Sequence, residues 1–98
     1  MPSVANTVAE FLSFMQSVGG RAPSWYVGIS DDAERRLFEE HGVNRQSRTW
    51  IYEQMNNNQD ARAVESQMLQ NMLQGGKGGG DNSSRFVYVY QITSSTRQ

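Results

Sequence analysis

A carboxylate on an apolar helix face is the first group in this sequence that points to chemistry. Over residues 60–73, apolar side chains recur at helical spacing, and Glu65 falls within the arc that they define. An ionised carboxylate that is buried without partners costs several kcal/mol, so Glu65 must be paired, metal-bound, protonated or at the rim of a cleft. An ion pair with an arginine and a functional role are equally good explanations at this point. The apolar residues of the arc are Ala61, Val64, Met68, Leu69 and Met72.

Arg36 offers the matching positive charge. It lies on the flank of a helix predicted over residues 32–41, where its stem can pack while its guanidinium faces a groove, whereas Arg35 is predicted to face solvent. His41 ends that helix. Because the chain has one histidine and no cysteine, thiolate metal sites, cysteine nucleophiles and clusters of nitrogen and sulfur ligands are excluded.

The charges of the chain are nearly balanced. Nine basic residues against ten acidic ones give a net charge of −1, which argues against a protein that holds nucleic acid by long-range electrostatics. Every cation except Lys77 is an arginine, the side chain suited to bidentate phosphate contacts and partly buried ion pairs. The composition therefore permits a phosphate partner without requiring one.

The length of 98 residues suffices for one small domain, 1–98, in which helices and strands alternate. Hydrophobic periodicity predicts the order α-β-α-β-α-β and an α/β (α+β) class, with a capping box at Thr7 and Glu10 in the first helix. Residues 74–84 are predicted to form a flexible glycine-rich linker, and the polar tail 94–98 is predicted to fray. The predicted helices cover 3–18, 32–41 and 60–73, and the predicted strands cover Trp25–Ser30, 49–53 and 85–92.

The stretch from the first predicted strand into the second helix resembles a known family. Its letters, WYVGISDDAERRL from Trp25 to Leu37 with His41 soon after, are similar to the YIG half of the GIY-YIG nuclease domain. That half has a Tyr-Val/Ile-Gly strand, a short turn, and a helix that carries Arg-Arg-Leu and a histidine. The predicted strand at 49–53 resembles the family's third strand, and 61–65 resembles the helix that holds its metal-binding glutamate.

The GIY strand, the other half of the motif, is missing from its usual place before YIG, where the helix at 3–18 stands instead. The C-terminal strand has the aromatic and β-branched character of a GIY strand, with Val89 and Tyr90 as the counterparts of its Ile-Tyr pair. We therefore expect a circular permutation in which residues 86–92 pair antiparallel with Trp25–Ser30. The expected sheet has three antiparallel strands flanked by three helices.

The resemblance implies hydrolysis of DNA phosphodiester bonds with one divalent metal, Mg²⁺ or Mn²⁺. Glu65 would be the metal ligand, because hard cations prefer carboxylate oxygens and water. Arg36 would hold the scissile phosphate and offset its developing charge. Tyr26 or Tyr90 would orient or activate the attacking water, and His41 would assist proton transfer.

Four further residues are expected to contact the substrate. Gly28 would let a phosphate approach the backbone, since glycine within a strand often marks a close approach. Lys77 would reach a phosphate from the glycine-rich stretch. Arg35 and Tyr88 complete the expected substrate-binding set.

These residues favour a small DNA endonuclease, phage-encoded or from a mobile element, that acts alone or as an oligomer. The alternative is a catalytically inactive module of the same fold that binds nucleic acid or protein, with Glu65 and Arg36 retained as an ion pair; a scaffold or assembly protein is a third, weaker reading. The charge balance predicts weak intrinsic affinity and reliance on a partner or second subunit. No apolar run approaches the roughly 18 residues of a membrane span, so no membrane partner and a cytoplasmic location are expected.

Overall fold

A computed structural model describes residues 2–75 and 83–98 of the chain. In chain order the elements are helix α1 (Val4–Val18), strand β1 (Trp25–Ser30), a π-helix (Arg35–Glu40), strand β2 (Trp50–Gln54), helix α2 (Asn58–Gln70), strand β3 (Gln74–Gly75) and strand β4 (Phe86–Gln91). Short 3₁₀ turns at Ala22–Ser24 and Arg45–Ser47 precede β1 and β2. The α+β class and its three helices are confirmed.

The strands form one mixed sheet in the order β2-β4-β1-β3. Strand β4 is antiparallel to both β1 and β2, and it places Tyr90 opposite Tyr26 and Tyr88 opposite Gly28. The predicted antiparallel pairing of the C-terminal strand with β1 is therefore present. The prediction of three antiparallel strands in strict alternation with helices is wrong, because β3 directly follows α2 and pairs parallel to β1 at Tyr26 and Val27.

Side chains alternate between the two faces of the sheet and build two apolar layers. On one face, Val27 and Ile29 pack with α1 and α2 in the larger cluster of buried residues. On the other face, Tyr88 and Tyr90 pack with Leu37 of the π-helix in a smaller, more polar cluster. The aromatic rings of Tyr88 and Tyr90 in β4 thus lie under the π-helix.

Helix α1 begins one residue later than predicted, after its cap. The Ser3 hydroxyl accepts a hydrogen bond from the Asn6 N–H at 3.1 Å, as a helix N-cap does. The capping box predicted at Thr7 and Glu10 is wrong because Thr7 is buried within the helix, where its hydroxyl lies 3.6 Å from the Met55 sulfur. Because the helix begins at Val4, its apolar stripe extends one turn further toward the N-terminus than a cap at Thr7 would permit.

The segment that follows β4 folds back onto the π-helix. The Thr93 N–H donates to the Thr96 hydroxyl at 3.0 Å, and the Arg97 N–H donates to the His41 carbonyl at 2.6 Å. Residues 94–98, which were expected to fray, are thus held to His41 by the backbone hydrogen bond from Arg97. Lys77 and most of the predicted linker lie outside the described residues.

Candidate active site

The π-helix turns Arg36 and His41 toward the same cluster. The His41 N–H donates to the Arg36 carbonyl at 2.8 Å, five residues back, whereas the Arg36 N–H donates to the Asp32 carbonyl at 3.2 Å with ordinary α-helical spacing. The wider turn inserts one extra residue, a feature that is frequent at functional sites. Most of the helix predicted over 32–41 is therefore present. It is a π-helix, which the hydrophobic periodicity of the segment does not reveal.

His41 is buried between the sheet and the tail, with 4% of its surface exposed. Its Nδ1 lies 2.6 Å from the Arg97 carbonyl oxygen, which can only accept, so Nδ1 carries the proton. Its Nε2 lies 2.8 Å from the Tyr88 hydroxyl and accepts from it. Burial, then the charge of Arg36, lowers the pKa of His41 from its ordinary 6.5, although the hydrogen bond to Arg97 and the Glu40 charge raise it. The imidazole is therefore neutral at pH 7.

Tyr88 fills the space above Gly28. A Cβ at position 28 would lie 2.5 Å from Tyr88 Cζ and would also overlap the hydroxyl. Burial raises the pKa of Tyr88 to about 12, against the opposing effect of Arg36, so the hydroxyl stays protonated. Gly28, expected to admit a phosphate, thus makes room on this face for an aromatic ring of its own chain.

Arg36 lies at the outer rim of the cluster, where 27% of its side chain is exposed. Its Nη1 donates to Glu40 Oε1 at 2.8 Å, and its Nε is buried without a hydrogen-bond partner among the described residues. Burial lowers the pKa of Arg36, but the nearby Tyr88 hydroxyl and the charge of Glu40 outweigh it and raise the pKa overall. The charged guanidinium is therefore held by Glu40 and open to an anion on its exposed side.

The two tyrosines predicted to activate water differ in the state of their hydroxyls. Tyr26 and Tyr90 stack across the β1–β4 pair with ring centroids 5.2 Å apart. The Tyr90 hydroxyl donates to the Arg97 carbonyl at 3.2 Å and lies 3.1 Å from His41 Nδ1, and burial raises the pKa of Tyr90. The Tyr26 hydroxyl forms no hydrogen bond with any residue of 2–75 or 83–98. Of the two tyrosine hydroxyls, that of Tyr26 is therefore the one without a hydrogen bond to the described residues.

Glu65 lies on α2, which packs on the face of the sheet opposite the tyrosines. Helix α2 leads into β3, the strand that pairs with β1 at Tyr26 and Val27. Leu69 lies against β3, since a Cβ on Gly75 would lie 2.8 Å from Leu69 Cδ2. Glu65 is one helical turn before Leu69 and therefore lies on the same side of α2.

The Glu65 carboxylate is half-buried and forms no hydrogen bond or ion pair with the described part of the chain. Burial raises the pKa of Glu65, although the charge of Arg62 lowers it. Mg²⁺ is commonly held by one or two carboxylates with water and substrate phosphates, and a carboxylate without a partner in the described chain fits that donor set. Across 2–75 and 83–98, no three His, Asp or Glu side chains converge into a closed ion site.

Arg35 lies apart from this cluster, on the exposed side of the π-helix. Its guanidinium pairs with Asp31 at 2.9 Å and with Glu40 at 3.1 Å. It lines an open cleft of about 370 Å³ together with Phe38 and with Tyr52 and Phe86 of the sheet. Of the residues expected to bind substrate, the structure thus brings Gly28 and Tyr88 into the cluster and leaves Arg35 outside it.

Arg97 is a residue of the site that the sequence pattern does not reveal. Its carbonyl accepts from both His41 and Tyr90, and its amide donates back to the His41 carbonyl. A backbone carbonyl has no signature in sequence, and the polar composition of the tail predicts fraying. The alternation of Tyr88 and Tyr90 is the sequence signal from which the buried pair of tyrosines follows.

The chain matches no model of a known protein family, no curated protein and no solved structure. No helix in the described part of the chain is both long and apolar enough to cross a membrane. The residues that bear on function are therefore the side chains under the π-helix and Glu65 on α2.

The fold is expected to lose stability as the pH falls from about 7 to about 5.5, because His41 is buried neutral. Its folded-state pKa is lowered, so the unfolded chain takes up the proton first as the pH passes the ordinary value near 6.5, and unfolding is favoured from there downward. Glu65 has a raised pKa and gains its proton first in the folded state, so it acts in the opposite sense at lower pH. Urea unfolding at both pH values measures the difference.

His41→Asn is expected to remove most of this pH dependence. Asparagine keeps a donor toward the Arg97 carbonyl but does not titrate, and His41 is the single histidine in the chain. At neutral pH the variant should lose about 1–2 kcal/mol of unfolding free energy, because the Tyr88 hydroxyl loses its acceptor. An equal loss of stability on acidification in both proteins would show that another group is responsible.

Proposed function

We propose that this chain is a GIY-YIG-like domain with permuted strand order that hydrolyses DNA phosphodiester bonds with the aid of a divalent metal. The observation that carries the proposal is the register that sets Tyr26 opposite Tyr90, with Arg36 on the same face. Two tyrosines from neighbouring strands and an arginine from the next helix are the set that the family resemblance implies. The C-terminal strand supplies the second tyrosine, as the permutation requires.

In the proposed reaction, Arg36 binds the scissile phosphate through the exposed part of its guanidinium. Its charge stabilises the transition state most, because negative charge then accumulates on the phosphoryl oxygens. The free hydroxyl of Tyr26 orients the attacking water, while the bonded Tyr90 holds the Tyr26 ring by stacking. His41, bonded at both ring nitrogens, organises the cluster and leaves proton transfer to other groups.

Glu65 is the proposed ligand of Mg²⁺ or Mn²⁺, which when bound would polarise the phosphate and acidify a bound water. Because α2 and the π-helix cover opposite faces, a phosphodiester that meets both Glu65 and Arg36 would have to lie at an edge of the sheet. Beyond the two residues paired with β3, no described strand pairs with residues 28–30 on the β3 side of β1. We therefore assign the scissile phosphate to this edge.

A cleavage assay on single-stranded, double-stranded and branched DNA, with Mg²⁺ and with EDTA, tests the proposal. Glu65→Gln is expected to lower metal-dependent cleavage by about a hundredfold or more. Its melting temperature at neutral pH should stay equal or rise, because the amide removes the cost of burying a charge, and this serves as the control for folding. Cleavage that survives in both Glu65→Gln and Tyr26→Phe would sink the proposal.

A second function, binding without cleavage, is favoured by the burial of the cluster. Tyr88 and Tyr90 have no exposed surface, His41 has 4%, and their polar atoms bond to one another or to the tail. The net charge of −1 means that such binding would depend on short-range contacts and would be weak at physiological salt. DNA binding that persists in Glu65→Gln, with no cleavage by the native chain, would favour this second function.

A further inference from the structure

Strand β2 lies at an edge of the sheet, where β4 is its neighbour in the described chain. The Gln91 N–H donates to the Thr49 carbonyl at 2.9 Å, so Thr49 turns its backbone groups toward β4. Because this orientation alternates along an antiparallel strand, residues 51 and 53 share it and the residues between them turn outward. The outward residues are Trp50, Tyr52 and Gln54, whose N–H and C=O groups form no backbone hydrogen bond with residues 2–75 or 83–98.

The outer edge of β2 lacks the features that usually keep a further strand away. Edge strands are commonly protected by proline, by lysine or by a bulge. Strand β2 contains neither proline nor lysine, and its register with β4 runs without a bulge from Trp50 to Gln54. Its one charged side chain is Glu53. The edge is therefore open to an added strand and carries a negative charge of its own.

Tyr52 holds a second carboxylate beside this edge, on the face of the sheet that the π-helix covers. Its hydroxyl donates to Glu34 Oε2 at 2.9 Å, and Arg45 donates to Glu34 Oε1 at 3.1 Å. Half of the Glu34 side chain stays exposed. A side chain opposite Tyr52 on an added strand would lie about 5 Å from it, so a lysine or arginine there reaches both the ring and the carboxylate.

The cleft next to Tyr52 has more acidic than basic groups. Its two arginines, Arg35 and Arg45, are each already paired with a carboxylate. Asp32 and Glu39 line the same cleft, and in the described part of the chain neither forms an ion pair. The aromatic rings of the cleft are partly exposed. A partner that complements this surface is therefore positively charged.

We propose that the outer edge of β2 binds an extended, basic segment of a partner protein, which pairs with β2 as a further strand and sets a lysine or arginine beside Tyr52 and Glu34. A second copy of this chain complements the edge less well, because it would bring an equally negative cleft against this one. A basic partner would also supply the positive charge that a chain of net charge −1 lacks for holding DNA. The inference goes beyond the proposed function and does not depend on cleavage.

Amide hydrogen exchange followed by NMR tests the proposal on the native chain. The probe is a peptide of about eight residues, within the range of strand lengths, that alternates arginine and threonine. At about ten times its Kd, the peptide should slow exchange of the Trp50, Tyr52 and Gln54 amides by about tenfold. A peptide of the same length that alternates glutamate and threonine is the control and should leave these amides unprotected. Binding of the arginine peptide without protection of the three amides would overturn the proposal.

Glu34→Gln tests the charge contact, with Glu10→Gln as the matched control. Both variants remove one exposed negative charge, but Glu10 lies on α1, which packs on the opposite face of the sheet. The affinity of a labelled arginine peptide, measured by fluorescence anisotropy, should fall by about fivefold in Glu34→Gln and stay within about 1.5-fold in Glu10→Gln. Thermal melts check that both variants fold. Equal affinity in the native chain and Glu34→Gln would overturn the proposal.

Three other results would also contradict a basic peptide partner. The first is equal protection of the β2 amides by the glutamate peptide. The second is a dimer in sedimentation of the chain alone, with the same amides protected, which would make a second copy the occupant. The third is protection of these amides by an unpaired DNA oligonucleotide. None of these measurements involves hydrolysis, so a failure of the proposed function and a failure of this inference are separate outcomes.

Discussion

Arg36→Lys is expected to lower kcat for DNA cleavage by about a hundredfold, the scale of losing one charged donor from a transition state. Arg36 contacts Glu40 through Nη1, buries its Nε and keeps 27% of its side chain exposed. A lysine ammonium is a single point charge and cannot hold both Glu40 and a phosphate in one plane. The measurement is single-turnover cleavage with saturating Mg²⁺, together with a thermal melt.

Arg45→Lys is the control for this substitution. Arg45 also pairs with a glutamate, Glu34 at 3.1 Å, but 60% of its side chain is exposed and it lies outside the tyrosine cluster. Its replacement should leave kcat within about twofold, because an exposed ion pair contributes little. Equal losses in the two variants would mean that the arginines act through general charge, and an unchanged kcat in Arg36→Lys would remove Arg36 from the reaction.

The parts of the fold that local pattern determines were predictable from the sequence. Strand β1 begins and ends where its aromatic and β-branched run does, and β4 pairs with it as the permutation hypothesis requires. Strand β3 could not be predicted, because Gln74 and Gly75 carry no strand propensity and their pairing depends on where α2 ends. The π-helical turn is equally hidden, since its extra residue appears in sequence only as the spacing between Arg36 and His41.

The side chains of the candidate site could be predicted from the sequence, but their positions relative to one another could not. Periodicity places Glu65 within the apolar arc of its helix, and the structure finds it half-buried on α2. The ion pair between Glu65 and Arg36, expected of an inactive module, is not formed, because Arg36 binds Glu40 and the two helices lie on opposite faces. Such placement depends on how the elements stack, which no single segment specifies.

Glu65 and Arg36 each carry a polar group whose burial lowers the stability of the domain. Glu65 is half-buried without a partner in the described chain, and Arg36 has a buried Nε without an acceptor there. Unsatisfied buried polar groups are rare and often mark function, because selection for stability alone would remove them. In the proposed site, a metal-bound phosphate would satisfy both.

Gly28→Ala is expected to be strongly destabilising, at about 3 kcal/mol of unfolding free energy. The added methyl would lie 2.5 Å from Tyr88 Cζ, and the Tyr88 ring, with no exposed surface, has nowhere to move. Displacing it would also break the bond from its hydroxyl to His41. For a domain of this size the melting temperature should fall by roughly 12–20 °C, measurable by circular dichroism.

Gly75→Ala is the matched control, a glycine-to-alanine change in a neighbouring strand of the same sheet. Its methyl would meet Leu69 Cδ2 at 2.8 Å, but Leu69 is 41% exposed and can swing aside, so the loss should stay below about 1 kcal/mol. In a Tyr88→Val background, where the ring is gone, Gly28→Ala should likewise become nearly neutral, as a double-mutant cycle would measure. A cost at Gly28 that persists without the ring would mean that the backbone of β1, and not the space for Tyr88, requires glycine.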